Sequence, residues 1–162
     1  MNALSLEEFL VQHGLELPPA PHARGAYAPF CEVALGTKHV VFVSGQTCRI
    51  GGKALQGISE GVENLEEARN AARVAMLNCL AALRMAAGGV LSPSCQVVRL
   101  RGFIRSGSNF TGHTAVLDAA SELLQIVFPG HPLPARTAVG VSSLPDSAWI
   151  EIELDAVIAL PA

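Results

Sequence analysis

The residues best suited to chemistry are an arginine and a set of acids near the end of the chain. Arg136 is followed by Glu151, Glu153 and Asp155, which alternate with Ile150, Ile152, Leu154 and Ala156. Alternation at a period of two puts the three carboxylates on one face of a strand and the apolar residues on the other. A guanidinium is a planar fork suited to a carboxylate or phosphate, and a hydrogen bond to a charged group is worth about 1.5–3 kcal/mol. The turn at Leu144-Pro145-Asp146-Ser147 predicts a hairpin that sets Arg136 beside this acidic ladder. The alternative is a structural ion pair, worth about 0–1 kcal/mol if exposed.

A second group lies earlier. Ser44, Gly45 and Gln46 follow the apolar run at 39–43, placing a hydroxyl, a residue without Cβ and an amide where a strand is expected to end. An ordinary turn with a local serine hydrogen bond is the alternative, and no GxSxG elbow surrounds Ser44. Tyr27, the sole tyrosine, is placed either to cap a pocket or to fill the core with its hydroxyl wetted. Cys48 neighbours Arg49, and a cation lowers a thiol pKa, but a nucleophile also needs a base, which His39 does not obviously supply. The four cysteines are read as small buried hydrophobes and the five histidines as surface or rim residues. No CxxC, HExxH, GxxxxGK[ST] or strand-to-helix GxGxxG occurs, so neither a metal nor a cofactor is expected.

The elements that must position these residues follow from periodicity. Ser5 and Glu8 form a capping box for a short helix at 6–13, which Gly14 ends. Pro18, Pro19 and Pro21 make 17–24 an extended tether. Residues 30–35 and 39–44 pair as a hairpin, after which Gly51 and Gly52 turn the chain again. Apolar residues at steps of three and four over 65–87 predict a long amphipathic helix, and 114–128 a second. Strands are expected at 96–106, 136–142 and 149–160, the first broken in its alternation by Gly102. The order β-β-α-β-α-β-β predicts an α+β fold: a single, mostly antiparallel sheet with two helices on one face.

Composition narrows the functional classes. With 162 residues the chain reads as one domain, a core at 26–159 preceded by the helix and tether at 1–25. Eleven Lys and Arg against 14 Asp and Glu give a net charge of −3, which disfavours nucleic acid despite Arg99, Arg101 and Arg105 in one segment. Half of the residues are hydrophobic and only 15% charged, more apolar surface than a small core hides, so self-association is expected. The acidic start MNALSLEEFL does not read as a secretory address, and Arg73, Asn78 and Arg84 interrupt the longest apolar stretch, so a cytoplasmic chain without a membrane span is expected.

Three segments together, FVSGQ (42–46), PARTAVGV (134–141) and SLPDSAWIEIELDAV (143–157), resemble the Rid family, also called YjgF-type, over about 26–159. The N-terminal helix and tether resemble a longer branch of it. The resemblance implies the fold shared with one class of chorismate mutases, and homotrimers with clefts between subunits that take a small carboxylate-bearing metabolite. It further implies cofactor-free hydrolysis of enamines and imines to 2-keto acids and ammonia, or, as the alternative, a trimer that only binds a metabolite in the same cleft. By position, Arg136 matches the carboxylate-binding arginine and Glu151 the acid that positions water, while Tyr27, Ser44, Gly45 and Gln46 match the substrate pocket. Two positions depart from the family pattern: Ala115-Val116-Leu117-Asp118 offers no asparagine at the start of the second helix, and Ala138 stands where some members carry a cysteine, so no thiol chemistry carries over.

Overall fold

The protein, described by a computed structural model over residues 6–159, is built on a five-stranded sheet. Ser5 of the expected capping box lies outside the described residues. The short helix α1 (Leu6–Gln12) ends as expected at Gly14, which takes φ 68° while Leu15 donates back to the carbonyl of Leu10 at 2.9 Å. β1 (Phe30–Leu35) and β2 (Lys38–Thr47) form the antiparallel hairpin, and a two-residue ribbon, β3 (Arg49–Ile50) and β4 (Lys53–Ala54), folds around Gly51 and Gly52, both at positive φ. Then come α2 (Leu65–Ala86), β5 (Gln96–Arg105), α3 (His113–Val127), β6 (Ala135–Val141) and β7 (Ile150–Ile158). The main sheet runs in the order β1-β2-β7-β5-β6, and all its pairings are antiparallel except β5 with β6.

That exception corrects the expected hairpin. β6 and β7 are not neighbours, because β5 lies between them, parallel to β6 and antiparallel to β7. The connection after β6 crosses the end of β5, where Arg105 donates to the carbonyl of Trp149 and Ser106 to that of Val141. The guanidinium beside the acidic ladder is therefore that of Arg101 on β5, not Arg136. It grips Asp155 through Nη1 at 3.1 Å and Nη2 at 2.9 Å and reaches Glu153 through Nε at 3.3 Å. Arg99 pairs with Asp155 as well, and Arg105 donates to the carbonyls of Gly57 and Ser147, so the three arginines of this strand are engaged internally.

β2 also runs further than its pattern indicates. The ladder to β7 shifts register between Val43 and Gln46, so Ser44, Gly45 and Gln46 sit at a bulge inside the strand rather than beyond its end.

The core lies between one sheet face and the helices. Val41, Val43, Leu100, Ile104, Ile150, Ile152 and Leu154 are buried there against α2, whose Ala68, Ala71, Ala72 and Ala75 bring it close to the sheet, and against α3. Each buried Leu or Ile contributes about 1.5–3 kcal/mol. Gly102, expected to break the alternation of β5, instead keeps it, buried between Leu100 and Ile104 where a Cβ would lie 2.6 Å from a methyl of Leu117 on α3; the irregularity is the register shift between Val97 and Arg99. The opposite face carries the charged ladder together with Phe42, Val33 and Val139, each at least 40% exposed. Among the described residues, no helix is long and apolar enough to cross a membrane.

Candidate functional site

Glu151 is the centre of the site. It belongs to the charged face of β7, between the fully buried Ile150 and Ile152. Its carboxylate lies over Gly45 of the neighbouring strand, so close that a Cβ on Gly45 would come within 1.9 Å of Oε1. The bulge and the missing side chain together make the space the acid occupies. Burial, and then the Glu153 charge, push the Glu151 carboxyl above the usual glutamate range, while the Arg49 charge partly restrains it.

A cleft of about 650 Å³ opens in front of this carboxylate. Gly45, Gln46, Arg49 and Asn78 line one side and Tyr27 and the tether the other. Asn78, a polar residue on α2, donates to the carbonyls of Thr47 at 2.9 Å and Arg49 at 3.1 Å, tying the helix to the sheet end where the cleft begins. The prolines thus build a wall of the cleft. The tether is held at one end by Arg84, which donates to the Pro18 carbonyl at 3.1 Å, and at the other by Arg24. Arg24 and Arg49 both donate to the carbonyl of Gly52, and both pair with Asp146, which adopts φ 53° in the Leu-Pro turn. Arg49, then Arg24, hold the Asp146 carboxyl below the usual aspartate range.

Of the residues expected at the site, Tyr27, Gly45, Gln46 and Glu151 meet at this cleft. Ser44 does not. It lines an adjoining depression of about 390 Å³ with Arg101, Glu153 and Asp155, which Tyr27 also borders, and its hydroxyl donates to the Ala28 carbonyl at 2.6 Å. Ser44 therefore positions the loop that carries Tyr27, through a contact across 16 residues rather than a local turn.

Arg136 lies elsewhere. It stands in register with Leu100, which stands in register with Leu154, and both leucines point into the core. Glu151 is three residues from Leu154 on a regularly alternating strand, so Arg136 and Glu151 occupy opposite faces of the sheet. On the edge strand, Arg136 reaches over α3 and donates through Nη1 to Asp118 at 2.7 Å and to the hydroxyl of Ser121 at 3.0 Å.

The thiols are chemically quiet where buried. Cys48 donates to the Leu55 carbonyl, and burial raises its pKa, lifts that of Cys95 to about 12 and lifts that of Cys79 further. Cys31 departs from the expected burial. It is exposed, as is every residue of the edge strand β1 after Phe30. Among the described residues, no group of three or more His, Cys, Asp or Glu side chains converges on a metal position.

Arg49 and Asn78, which line the cleft, were missed as site candidates from sequence. Asn78 carried one signal, a polar residue within an otherwise apolar helical stretch, and Arg49 adjoined the Ser44–Gln46 segment.

The geometry predicts a separation of activity from stability at Gly45. In Gly45→Ala the methyl meets the Glu151 side chain, which swings away at a folding cost of about 1–3 kcal/mol. Any reaction that uses the carboxylate in its present place is expected to fall at least about tenfold, since small displacements of a catalytic group are costly. Parallel activity assays and thermal melts check this.

The comparisons agree with this architecture. The sequence profile of the family described as "YjgF/chorismate mutase-like, putative endoribonuclease" matches residues 7–145. A 2-iminobutanoate/2-iminopropanoate deaminase of Dermatophagoides farinae is 32% identical over 144 residues, covering 89% of this chain and 94% of the relative. The crystal structure of the protein Atu1372 from Agrobacterium tumefaciens shares 32% identity at a TM-score of 0.78, covering 96% of this chain and 92% of that one. A structure from Shewanella oneidensis shares 29% identity at a TM-score of 0.82 and covers 96% of this chain and all of its own. A profile match across most of the sequence, a relative aligned nearly end to end and structures that superpose over 96% of the chain have one explanation: the chain belongs to the YjgF/chorismate-mutase-like family.

Proposed function

We propose that the protein is a hydrolytic deaminase of reactive imines and enamines of small 2-amino acids, releasing a 2-keto acid and ammonia. The observation that carries this reading is the Glu151 carboxylate, held over Gly45 in the cleft with its pKa raised. A carboxylate poised closer to neutral pH than an ordinary glutamate takes a proton from water more effectively. The named activity of the Dermatophagoides farinae relative supports the same chemistry.

The steps balance without a further reactant. An enamine first takes a proton on carbon and gives one up from nitrogen, becoming the imine. Glu151 accepts a proton from water as the water oxygen bonds to the imine carbon, and the imine nitrogen takes up a proton from solvent. Glu151 then returns its proton to the nitrogen as the carbinolamine hydroxyl gives its own to solvent, so that collapse forms the ketone, breaks the carbon–nitrogen bond and releases ammonia. Arg136 would hold the substrate carboxylate bidentately, so that the imine carbon faces the water. Tyr27 and Gln46 would line the side-chain end of the cleft.

Arg136 and Glu151 on opposite sheet faces cannot serve one substrate within one copy of the chain. A site using both is therefore built between copies, Arg136 coming from one and Glu151 from the next. The exposed Phe42, Val33 and Val139 on the uncovered face supply apolar surface for such an assembly, which we take to be a homotrimer. A net charge of −3, with Arg99, Arg101 and Arg105 engaged internally, does not favour RNA as the substrate.

The test is ammonia and keto-acid release when the purified protein is added to imines generated in situ from several amino acids, with light scattering on the same sample. Release above the spontaneous rate from a trimer supports the proposal. An intact trimer that binds 2-keto acids without consuming any imine would support the metabolite-binding alternative, and a monomer would overturn the shared site.

A further inference from the structure

We infer that Asp118 and Ser121 are positioning residues that turn Arg136 into a one-sided fork for a carboxylate; this rests on the deaminase reading for the identity of the substrate, but not for the geometry. Asp118 and Ser121 are three residues apart on α3 and so share a helix face. Both accept from the same nitrogen, Nη1 of Arg136, at 2.7 and 3.0 Å. An Nη carries two hydrogens, and these two bonds use both. Among the described residues, Nε and Nη2 of Arg136 have no hydrogen-bond partner, and these are the two parallel donors that form the side-on bidentate face of a guanidinium.

The arrangement solves a problem set by the edge strand. Arg136 lies at the border of the sheet, its side chain about a quarter exposed, and a long side chain there samples many rotamers. Pinning Nη1 to a helix fixes the rotation of the guanidinium plane and leaves a single edge to offer. Asp118 also offsets the positive charge, so recognition depends on the planar two-oxygen geometry of the ligand more than on its charge. A family-type asparagine is missing from this region of α3, and Asp118 acts there through Arg136 rather than on the substrate itself.

The test uses the full-length protein with 2-oxobutanoate, the product expected from 2-iminobutanoate, titrated by calorimetry into wild type, Asp118→Ala, Asp118→Asn and Arg136→Ala, alongside imine turnover. Asp118→Ala should weaken 2-oxobutanoate binding and raise KM by about tenfold, with kcat changed less than about threefold. Asp118→Asn keeps an acceptor oxygen and should stay within about threefold of wild type. In the Arg136→Ala background, Asp118→Ala should add nothing, because it acts through the arginine. A purely structural role would lower the melting temperature without this rescue or this KM-against-kcat split. Unchanged binding in Asp118→Ala, equal losses in the Ala and Asn variants, or no binding of 2-oxobutanoate to wild type would each overturn the inference. Binding with the expected variant pattern but no ammonia release would support it while overturning the deaminase reading.

Discussion

Arg136→Ala is expected to lower kcat/KM for imine hydrolysis by about 10²-fold or more, since a charge-assisted contact of about 3 kcal/mol corresponds to a factor of this size. The fold should tolerate the change. The side chain is partly exposed and makes its bonds to Asp118 and Ser121 at the sheet edge, where loss of an accessible ion pair costs about 1 kcal/mol or less. Asp118 is 44% exposed and regains water when the guanidinium leaves. Steady-state kinetics on an imine panel, with light scattering to show that the assembly persists, measure both quantities. Activity within a few-fold of wild type would remove Arg136 from the mechanism.

Glu151→Gln is the second large effect. Removing a general base is expected to reduce kcat by about 10²–10⁴-fold while binding of 2-keto acid product changes little. The wild-type acidic limb should fall as pH drops through the raised carboxyl pKa of Glu151, and so lie above the position an ordinary glutamate would give. Stability should move the other way from activity. A carboxyl whose pKa is raised in the folded state binds its proton more tightly there than in the unfolded chain, so its contribution to stability is present below the ordinary glutamate pKa and is lost as pH rises through the raised one. At neutral pH the amide should therefore melt at the same temperature as wild type or higher, and the difference should vanish below about pH 4. Melting curves for the two proteins at pH 4 and pH 7 test the sign; a variant less stable at pH 7 would show that ionised Glu151 is held by favourable contacts rather than left poorly solvated.

The individual elements and several of the residues that line the cleft were legible in the sequence because the signals are local. The alternation of Ile150, Ile152 and Leu154 with Glu151 and Glu153 reports which side of a strand is buried whatever its neighbour. The steps of three and four in α2 report a covered helix face in the same way. Gly45 beside a hydroxyl and an amide marked a close approach, and the structure shows the approaching group to be Glu151. Motifs around Arg136 and Glu151 carried the family resemblance, and the family is the one found.

Pairing was not legible, for a physical reason. A strand's alternation is satisfied equally by any partner of suitable length, so nothing local in β6 or β7 says that β5 lies between them, and the nearest-neighbour hairpin was the wrong choice. That one insertion assigned the acidic ladder to Arg101 and sent Arg136 to α3. Likewise, the prolines at 17–24 announced an extended tether but not that it walls the Glu151 cleft, because its anchors, Arg84 and the Arg24–Asp146–Arg49 cluster, are distant in sequence. By itself the sequence determined the two helices, the strands, the buried faces and the residues bearing charge. Only the tertiary structure decided which charges meet, since that depends on strand order, on the bulge in β2 and on a guanidinium reaching a helix 15 to 18 residues away.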